Sequence, residues 1–237
     1  MMKYEFKRVP VDEASIDLRS SVCGVGVNDS YYKVGYKEKG IDRSCPVYTR
    51  WSGMIKRCYT RKPAKSEYSY LDSTVCDDWL IFSNFQKWMD LQNWEGKHLD
   101  KDLIDHGNKV YSPEKCLFIP PDINCTIASL SYIYDNNSYS GVDYATRRGM
   151  YFSRVSDHKG KNRHLGFFES KEEAYKEWLK AKRAQLDHLA SGGECSIISD
   201  ALRRLSLKIK IISVGLKIPP KKPKPKTKKE KNFWDDY

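Results

Sequence analysis

The segment from Gly141 to Ala190 constrains the fold most, because three short strand patterns are followed by one long helical pattern. The strands are predicted around GVDYA, MYFSRVS and RHLGFFE. The helix is predicted to begin after Ser170, which fits a capping box with Glu173. Its buried side is predicted from residues at helical spacing, Ala174, Trp178 and Ala181. This order predicts an α+β unit in which a three-stranded antiparallel sheet packs on one helix.

Basic residues are concentrated in this predicted sheet, before the helix begins. They are Arg147, Arg148, Arg154, Lys159, Lys161 and Arg163. Alternation along MYFSRVS places Ser153 and Val155 on one face and Arg154 on the other. If Ser153 and Val155 meet the helix, Arg154 lies on an open basic face that suits phosphates or a DNA groove. The alternative is a solvated strand face, but the clustering of the cations favours binding.

The net charge of +11 over 237 residues predicts a polyanionic partner, with nucleic acid ahead of a membrane surface. From Lys217 onward, eight lysines face three acidic residues, a net +5, which leaves +6 for the remainder. This Lys/Pro tail is not expected to fold alone. It is either a tether that adds sequence-independent DNA affinity or a solubilising end, and its terminal NFWDDY could dock a protein partner. Before it, LSLKIKIISVGL alternates like a strand.

Two function classes are disfavoured by what the sequence lacks. No apolar run of about 18 residues is present, so a membrane span is not expected. The start MMKYEFKRVP lacks the apolar core of a signal peptide, which predicts a cytoplasmic protein.

The seven cysteines have no C-x-x-C spacing and are expected to be small buried hydrophobes. The alternative is a zinc site formed by Cys45, Cys58, Cys76 and Cys116.

The N-terminal part is predicted to contain two helices with apolar faces. The first spans Pro46 to Tyr59, where Val47, Trp51 and Met54 share a side. The second spans Asp77 to Asp90, with Trp79, Phe82, Phe85 and Met89 inward. A polar stretch at 132–140 is predicted to be a linker. It separates a first domain, 1–131, from the sheet-and-helix domain, 141–190, and an extension follows over 191–237.

Between the second helix and the linker, the stretch from His98 to Asn124 is rich in potential metal ligands. If HLDKD is a strand, His98, Asp100 and Asp102 lie on one face. Carboxylate oxygens, with the amide oxygens of Asn108 or Asn124, suit Mg²⁺ or Mn²⁺. Metal-assisted phosphodiester hydrolysis needs such a cation together with a base that activates water.

Three segments in order, YTRWSGMIKRCY, VCDDWLIFSNFQKWM and LDKDLIDHGNKVYSPEKCLFIPPDIN, resemble the HNH homing-endonuclease-like proteins of bacteriophages. The resemblance covers about Gly24 to Ala190. It implies a small ββα-metal module with flanking helices, in which a strand hairpin and a helix surround one divalent ion. It also implies cleavage of duplex DNA, a separate domain that places the DNA, and a location in the cytoplasm of a phage host.

The second unit resembles the ethylene-response-factor (APETALA-type) DNA-binding domain. The matching positions are Gly141-Val142, Leu165-Gly166, Phe168, Ala174 and Ala181. The resemblance implies that the sheet reads the major groove through Arg147, Arg154, Arg163 and His164. The chain departs from plant members at two positions, with His164 in place of Trp and Arg154 in place of a frequent Glu.

The nuclease resemblance also has one departure that affects the chemistry. Lys101 stands where the pattern has the histidine that acts as general base. In one interpretation, Asp100 and Asp102 bind a metal with Asn108 or Asn124, and His98 or His106 replaces the missing base. In a second, the hairpin is a retired nuclease core kept for DNA binding, with GNKVYSPE as its turn and PPDIN as a helix start. A third function, from another class, is a protein-interaction module that inhibits a host factor.

Overall fold

The structure is a computed structural model that describes residues 6–60, 72–130, 139–157 and 161–215. In this part of the chain the helices are α1 (Glu13–Asp17), α2 (Pro46–Tyr59), α3 (Phe82–Asp90), α4 (Pro121–Ala128), α5 (Lys171–Ala190) and α6 (Ser196–Ser213). The strands are β1 (Gly35–Glu38), β2 (Ile41–Ser44), β3 (Thr74–Val75), β4 (His98–Asp100), β5 (Val110–Tyr111), β6 (Leu117–Ile119), β7 (Val142–Ala145), β8 (Met150–Ser156) and β9 (Asn162–Phe168). The fold is therefore mixed α+β, as predicted.

An aromatic core holds the N-terminal part together. The first predicted helix is confirmed from Pro46 to Tyr59, and its Trp51 donates a 2.7 Å hydrogen bond from Nε1 to the carbonyl of Trp79. The second predicted helix is interrupted. A 3-10 turn covers Asp77–Leu80, Ile81 is extended, and α3 begins only at Phe82. The interruption arises because Val27 runs alongside as a parallel bridge: its N–H donates to the carbonyl of Leu80, and its carbonyl accepts the N–H of Phe82.

The cysteines follow the predicted hydrophobe role only in part. Cys45 and Cys116 are buried in the aromatic core, which confirms the prediction for them. Burial raises the pKa of the Cys58 thiol to about 11 and that of Cys116 to about 12, so both are neutral thiols at physiological pH. The prediction is wrong for three exposed cysteines, Cys23, Cys125 and Cys195.

The three-stranded antiparallel sheet is confirmed, with β8 in the centre between β7 and β9. Ser170 caps α5 by accepting a 3.2 Å hydrogen bond from the backbone N–H of Glu173. Ser153 and Val155 are buried beneath α5, whereas Arg154 points to the other face and is exposed. The predicted orientation of the sheet on its helix is therefore correct.

The strand predicted for LSLKIKIISVGL is wrong, because LSLKIKII lies within the helix α6. Leu202, Leu205 and Ile209 are buried in one cluster with Leu186 and Ala190 of α5. Their spacing of three and four residues matches a helical face. Packing on α5 therefore selects the helix over the strand that alternation alone predicts.

A second apolar core joins α4 to α5 and α6. Ile123 and Ile127 of α4 lie in the same cluster as Trp178 of α5 and Leu202 of α6. Residues 132–138 of the predicted linker and the whole Lys/Pro tail (217–237) lie outside the described residues. Within the described ranges, no helix combines the length and the apolar character that crossing a bilayer requires.

Candidate functional site

Two short strands and one helix form the framework of the candidate site. β4 pairs antiparallel with β6, with His98 opposite Ile119 and Asp100 opposite Leu117. Pro120 lies between β6 and α4, and Pro121 begins α4, because proline suits the first helical turn, where its missing N–H costs nothing. The predicted helix start at PPDIN is confirmed. That this strand–strand–helix unit is an HNH module stays a prediction.

β4 is shorter than the predicted strand HLDKD, because its last residue turns the chain. Asp100 Oδ1 accepts the backbone N–H of Asp102 at 3.0 Å and of Leu103 at 2.7 Å. Such local bonds compete with the strand ladder, so the chain bends from Lys101 onward. The prediction that Asp102 shares a strand face with His98 and Asp100 is therefore wrong. GNKVYSPE lies in the connection between the antiparallel strands β4 and β6, as predicted for a hairpin, but its Val110–Tyr111 forms β5, which pairs in parallel with β3.

A cleft of about 360 Å³ opens where α2, β4, the bend after it, β5 and α4 meet. The cleft brings together four of the predicted site residues: His98, Asp100, Asp102 and Asn124. Its remaining lining residues are Thr49, Arg50, Arg57, Leu99, Lys101 and Tyr111. Carboxylates, an imidazole, an amide and three cations therefore share one concave surface, which is the composition of a polar site.

Asp100 is the buried carboxylate of the cleft. Burial raises the pKa of Asp100 to about 6, and the neighbouring Asp102 charge adds to the rise. The backbone N–H groups of Leu103 and Asp102, with the Lys101 ammonium, oppose it and keep the pKa of Asp100 from rising further. At neutral pH Asp100 is therefore ionised in most molecules, and its charge faces the cleft.

Lys101, at the expected histidine position, is buried and fully engaged. Its Nζ donates to both carboxylate oxygens of Asp102 at 2.9 Å each and to the Asn108 carbonyl at 2.9 Å. An ammonium nitrogen has no lone pair, so the Lys101 ammonium cannot accept a proton as the expected histidine would. Lys101 therefore contributes a fixed positive charge to the cleft and neutralises Asp102.

His98 and Asn124 face each other across the cleft. The amide nitrogen of Asn124 lies 3.3 Å from Nδ1 of His98. An amide nitrogen only donates, so this contact assigns the lone pair of a neutral His98 to Nδ1 and its proton to Nε2. The contact also leaves the amide oxygen of Asn124 as a potential ligand.

Two predicted site residues do not reach the cleft lining. Asn108 donates from Nδ2 to the carbonyls of Lys101 and Val110 and accepts the Val110 N–H on Oδ1. These bonds shape the turn that holds Lys101 and occupy the amide of Asn108, so this geometry gives no support to Asn108 as a metal ligand. His106 lies in the same turn, directly before Gly107, whose backbone is in the left-handed region at φ 77°. His106 does not line the cleft.

Arg50 and Arg57 lie on one side of α2 and were not identified as site residues from the sequence. The guanidinium carbon of Arg50 lies 5.4 Å from the ring centroid of Trp94 and 5.6 Å from that of Phe118. Arg57 lies 5.8 Å from the Tyr111 centroid. Burial lowers the pKa of Arg50, which nevertheless stays a cation. Their seven-residue spacing, two helical turns, is the signal that could have found them.

The second predicted surface is the open face of the sheet. Arg154 is exposed there, but it forms a 3.0 Å ion pair with Asp143, so this face is not purely basic. His164 lies opposite Arg154 on the neighbouring strand. Arg163 lies opposite Val155, and so belongs to the face that meets α5, although its own side chain is exposed.

The other predicted cations flank the sheet. Arg147 and Arg148 are exposed in the β7–β8 turn, and Lys161 is exposed at the start of β9, where its backbone N–H donates to Asp157. Lys159 lies outside the described residues. The cations therefore lie at both ends of the sheet around a centre that contains Arg154 paired with an acid.

The cleft contains oxygen donors of the type that a hard divalent ion accepts. The Asp100 carboxylate and the Asn124 amide supply oxygen atoms, and Mg²⁺ accepts one or two carboxylates because it keeps several waters. The Asp102 carboxylate is already bound to Lys101. Over the described ranges, no group of three His, Cys, Asp or Glu side chains could hold a metal ion. A metal here would thus depend on Asp100 and Asn124, with water completing its coordination.

No known protein family, curated protein or solved structure matches this chain.

Proposed function

We propose that this chain binds DNA and cleaves phosphodiester bonds with the help of a divalent metal ion, in the manner of an HNH endonuclease. One observation carries the proposal. The β4–β6–α4 unit places Asp100, His98 and Asn124 in one cleft beside two arginines of α2. This arrangement supplies a ligand set, a candidate base and phosphate-binding cations on one surface.

Asp100 and Asn124 would hold the metal ion, which would stabilise the charge that develops on the phosphate. His98 would accept a proton from water at Nδ1, and for this the Asn124 amide, whose nitrogen lies 3.3 Å from Nδ1, would have to turn away and bind the metal through its oxygen. Arg50 and Arg57 would bind phosphate oxygens, because a guanidinium forms two parallel hydrogen bonds with them. The ring contacts of both arginines hold their planes in place before DNA arrives.

A second candidate function is DNA binding without cleavage. It is favoured by Lys101, whose ammonium neutralises Asp102 and leaves one carboxylate in the cleft with a free charge. In this case Lys101 acts as a permanent cation next to the phosphate. The net charge of +11 supports DNA binding in both candidates.

The two candidates are separated by incubating the full chain with supercoiled and linear duplex DNA in Mg²⁺ or Mn²⁺. The decisive variant is Asp100→Asn, because an amide oxygen still accepts the two backbone hydrogen bonds. Asp105→Asn is the matched control, since Asp105 lies on the same bend but is half-exposed and pairs with Lys115. Cleavage should fall on the order of 100-fold in Asp100→Asn and stay unchanged in the control.

Absence of strand breaks with the unaltered protein, on DNA that it binds, would exclude the nuclease and favour the second candidate. Cleavage that persists in Asp100→Asn would exclude the proposed ligand set. A mobility-shift assay on the same DNA in EDTA measures binding separately from cleavage. Loss of that binding as well would exclude both candidates.

A further inference from the structure

Three rings lie next to one another on the open face of the β7–β8–β9 sheet. The ring of His164 is nearly parallel to that of Phe152, at 11° and 5.7 Å between centroids. Phe167 contacts both, at 4.8 Å from His164 and 6.0 Å from Phe152. The strand register accounts for this, since Phe152 pairs with Phe167 and Arg154 with His164. We define these three residues as the aromatic face.

The aromatic face does not belong to the core. α5 covers the opposite side of the sheet, where Ser153 and Val155 are buried. Phe152 and Phe167 are absent from the apolar clusters formed by the described residues. Phe167 keeps 36% of its surface exposed, and His164 is exposed. Phe152 is half-buried beside these two exposed rings. Contiguous rings at the surface, outside a core, are typical of a binding surface.

Guanidinium groups extend the aromatic face. Arg148 lies over the Phe167 ring at 4.4 Å, and Arg154 lies 5.9 Å from the Phe152 centroid. Aromatic rings and guanidinium planes are the groups on which proteins stack nucleic-acid bases. The surface therefore offers flat partners for bases, with positive charge at its margin for the backbone.

The chemistry of the face favours unpaired bases over a duplex. In a duplex the base faces are covered by their neighbours, and the grooves expose edges that require hydrogen-bonding partners. Phe152 and Phe167 offer no hydrogen bonds. The Asp143 carboxylate, paired with Arg154 on the same face, would also repel the phosphates of a duplex lying across the sheet. Unpaired bases can reach the rings while their phosphates follow the cations at the edges.

We propose that the aromatic face binds single-stranded DNA, with bases stacked on Phe152, His164 and Phe167 and the backbone held by cations at the ends of the sheet. The choice of DNA over RNA rests on the proposed function. The stacking itself rests on the geometry of the three rings.

The test measures binding of the full chain to a labelled single strand of about 15 nucleotides in EDTA, so that cleavage plays no part. The Phe167→Leu and Phe152→Leu variants remove ring faces and keep apolar volume. Each is expected to weaken binding about tenfold. The slope of log affinity against log salt should stay unchanged, because no phosphate contact is lost.

The matched control is Tyr144→Leu, an aromatic residue of the same sheet that is 52% exposed but contacts Tyr151 rather than the aromatic face. It should bind the strand as the unaltered protein does, and circular dichroism verifies that all variants are folded. The proposal would be overturned if the protein bound the matching duplex as tightly as the single strand and if both phenylalanine variants lost as much affinity for the duplex as for the single strand. Tighter binding of the same strand made of RNA would overturn the assignment to DNA.

Failure of the nuclease proposal would leave this measurement intact, because it requires no metal and no cleavage. Conversely, unchanged single-strand affinity in both phenylalanine variants would remove the aromatic face as a binding site even if the cleft cuts DNA. A reduced salt slope in those variants would also count against stacking, since it would indicate lost phosphate contacts.

Discussion

Replacing Lys182 with methionine should stabilise the protein at neutral pH. Lys182 is 3% exposed on α5, where its neighbours Trp178, Leu179 and Leu186 belong to the second apolar core. Burial lowers the pKa of its ammonium from 10.5 to about 8. Nζ lies 5.7 Å from the Trp178 ring centroid, and no carboxylate among the described residues pairs with it. A nearly isosteric methionine removes the buried charge and keeps the packing.

The size of the effect follows from the lowered pKa. A fall from 10.5 to about 8 at 1.36 kcal/mol for each pKa unit corresponds to about 3 kcal/mol against the charged form. The contact with Trp178 returns roughly 1 kcal/mol of this. Lys182→Met should therefore raise the free energy of unfolding by about 2 kcal/mol at pH 7. For a chain of this length the Tm should rise by about 4–8 °C.

The pH dependence provides a second measurement of the same charge. Between about pH 8 and 10.5 the native Lys182 is neutral while the unfolded chain still binds a proton, so the stability of the unaltered protein rises with pH. The advantage of the variant should therefore shrink across this window. Chemical denaturation of both proteins at pH 7 and pH 10 measures it, and other groups titrate equally in both.

Lys180→Met is the matched control, because Lys180 lies on the same helix with a side chain 78% exposed. Its effect should stay within about 0.5 kcal/mol at both pH values. A Lys182→Met variant that is less stable at pH 7, or whose advantage does not change with pH, would refute the reasoning. Either result would mean that the ammonium reaches water or an unrecognised partner.

Three further predictions concern the cleft and the sheet. Asp100→Asn should raise the free energy of unfolding by about 2 kcal/mol at pH 8 and have little effect at pH 4. The reason is that burial raises the pKa of Asp100 from 3.8 to about 6, so its ionisation costs the native state stability as the pH rises from 4 to 6. Urea denaturation at pH 4 and pH 8 measures the difference. Gly141→Ala should destabilise by about 3 kcal/mol or more, since Gly141 has φ 73° and a Cβ there would meet the Trp178 ring, as a thermal melt would show. Arg50→Gln should weaken duplex binding and lower the salt slope by about 0.9.

Each of these predictions has a control in the chain. Asp105→Asn should leave the pH dependence of stability unchanged. Gly193→Ala shares the left-handed backbone, at φ 84°, but has open space around the added Cβ, so its loss should be smaller than that of Gly141→Ala. Lys56→Gln removes an exposed cation of α2 outside the cleft lining. Equal effects of Lys56→Gln and Arg50→Gln would show that only net charge matters.

The candidate site was only partly predictable. Candidate metal ligands and bases could be predicted in the stretch from His98 to Asn124, and four of them, His98, Asp100, Asp102 and Asn124, meet in the cleft. Asn108 could not be separated from them by sequence, because an asparagine that caps a turn and one that binds a metal look alike in a sequence. Arg50 lines the cleft only because folding places α2, about 50 residues earlier in the chain, next to β4.

The sequence by itself determined the elements whose signal is local. α2, the three strands of the sheet and the capped start of α5 follow from periodicity and capping, which depend on neighbouring residues alone. Tertiary structure decided what local pattern leaves open. α6 is a helix because α5 covers its apolar side. β5, within the connection from β4 to β6, pairs with β3, and Lys101 is held by Asp102 and Asn108. In each case the deciding energy comes from a partner distant in the sequence or from a turn that exists only in the folded chain.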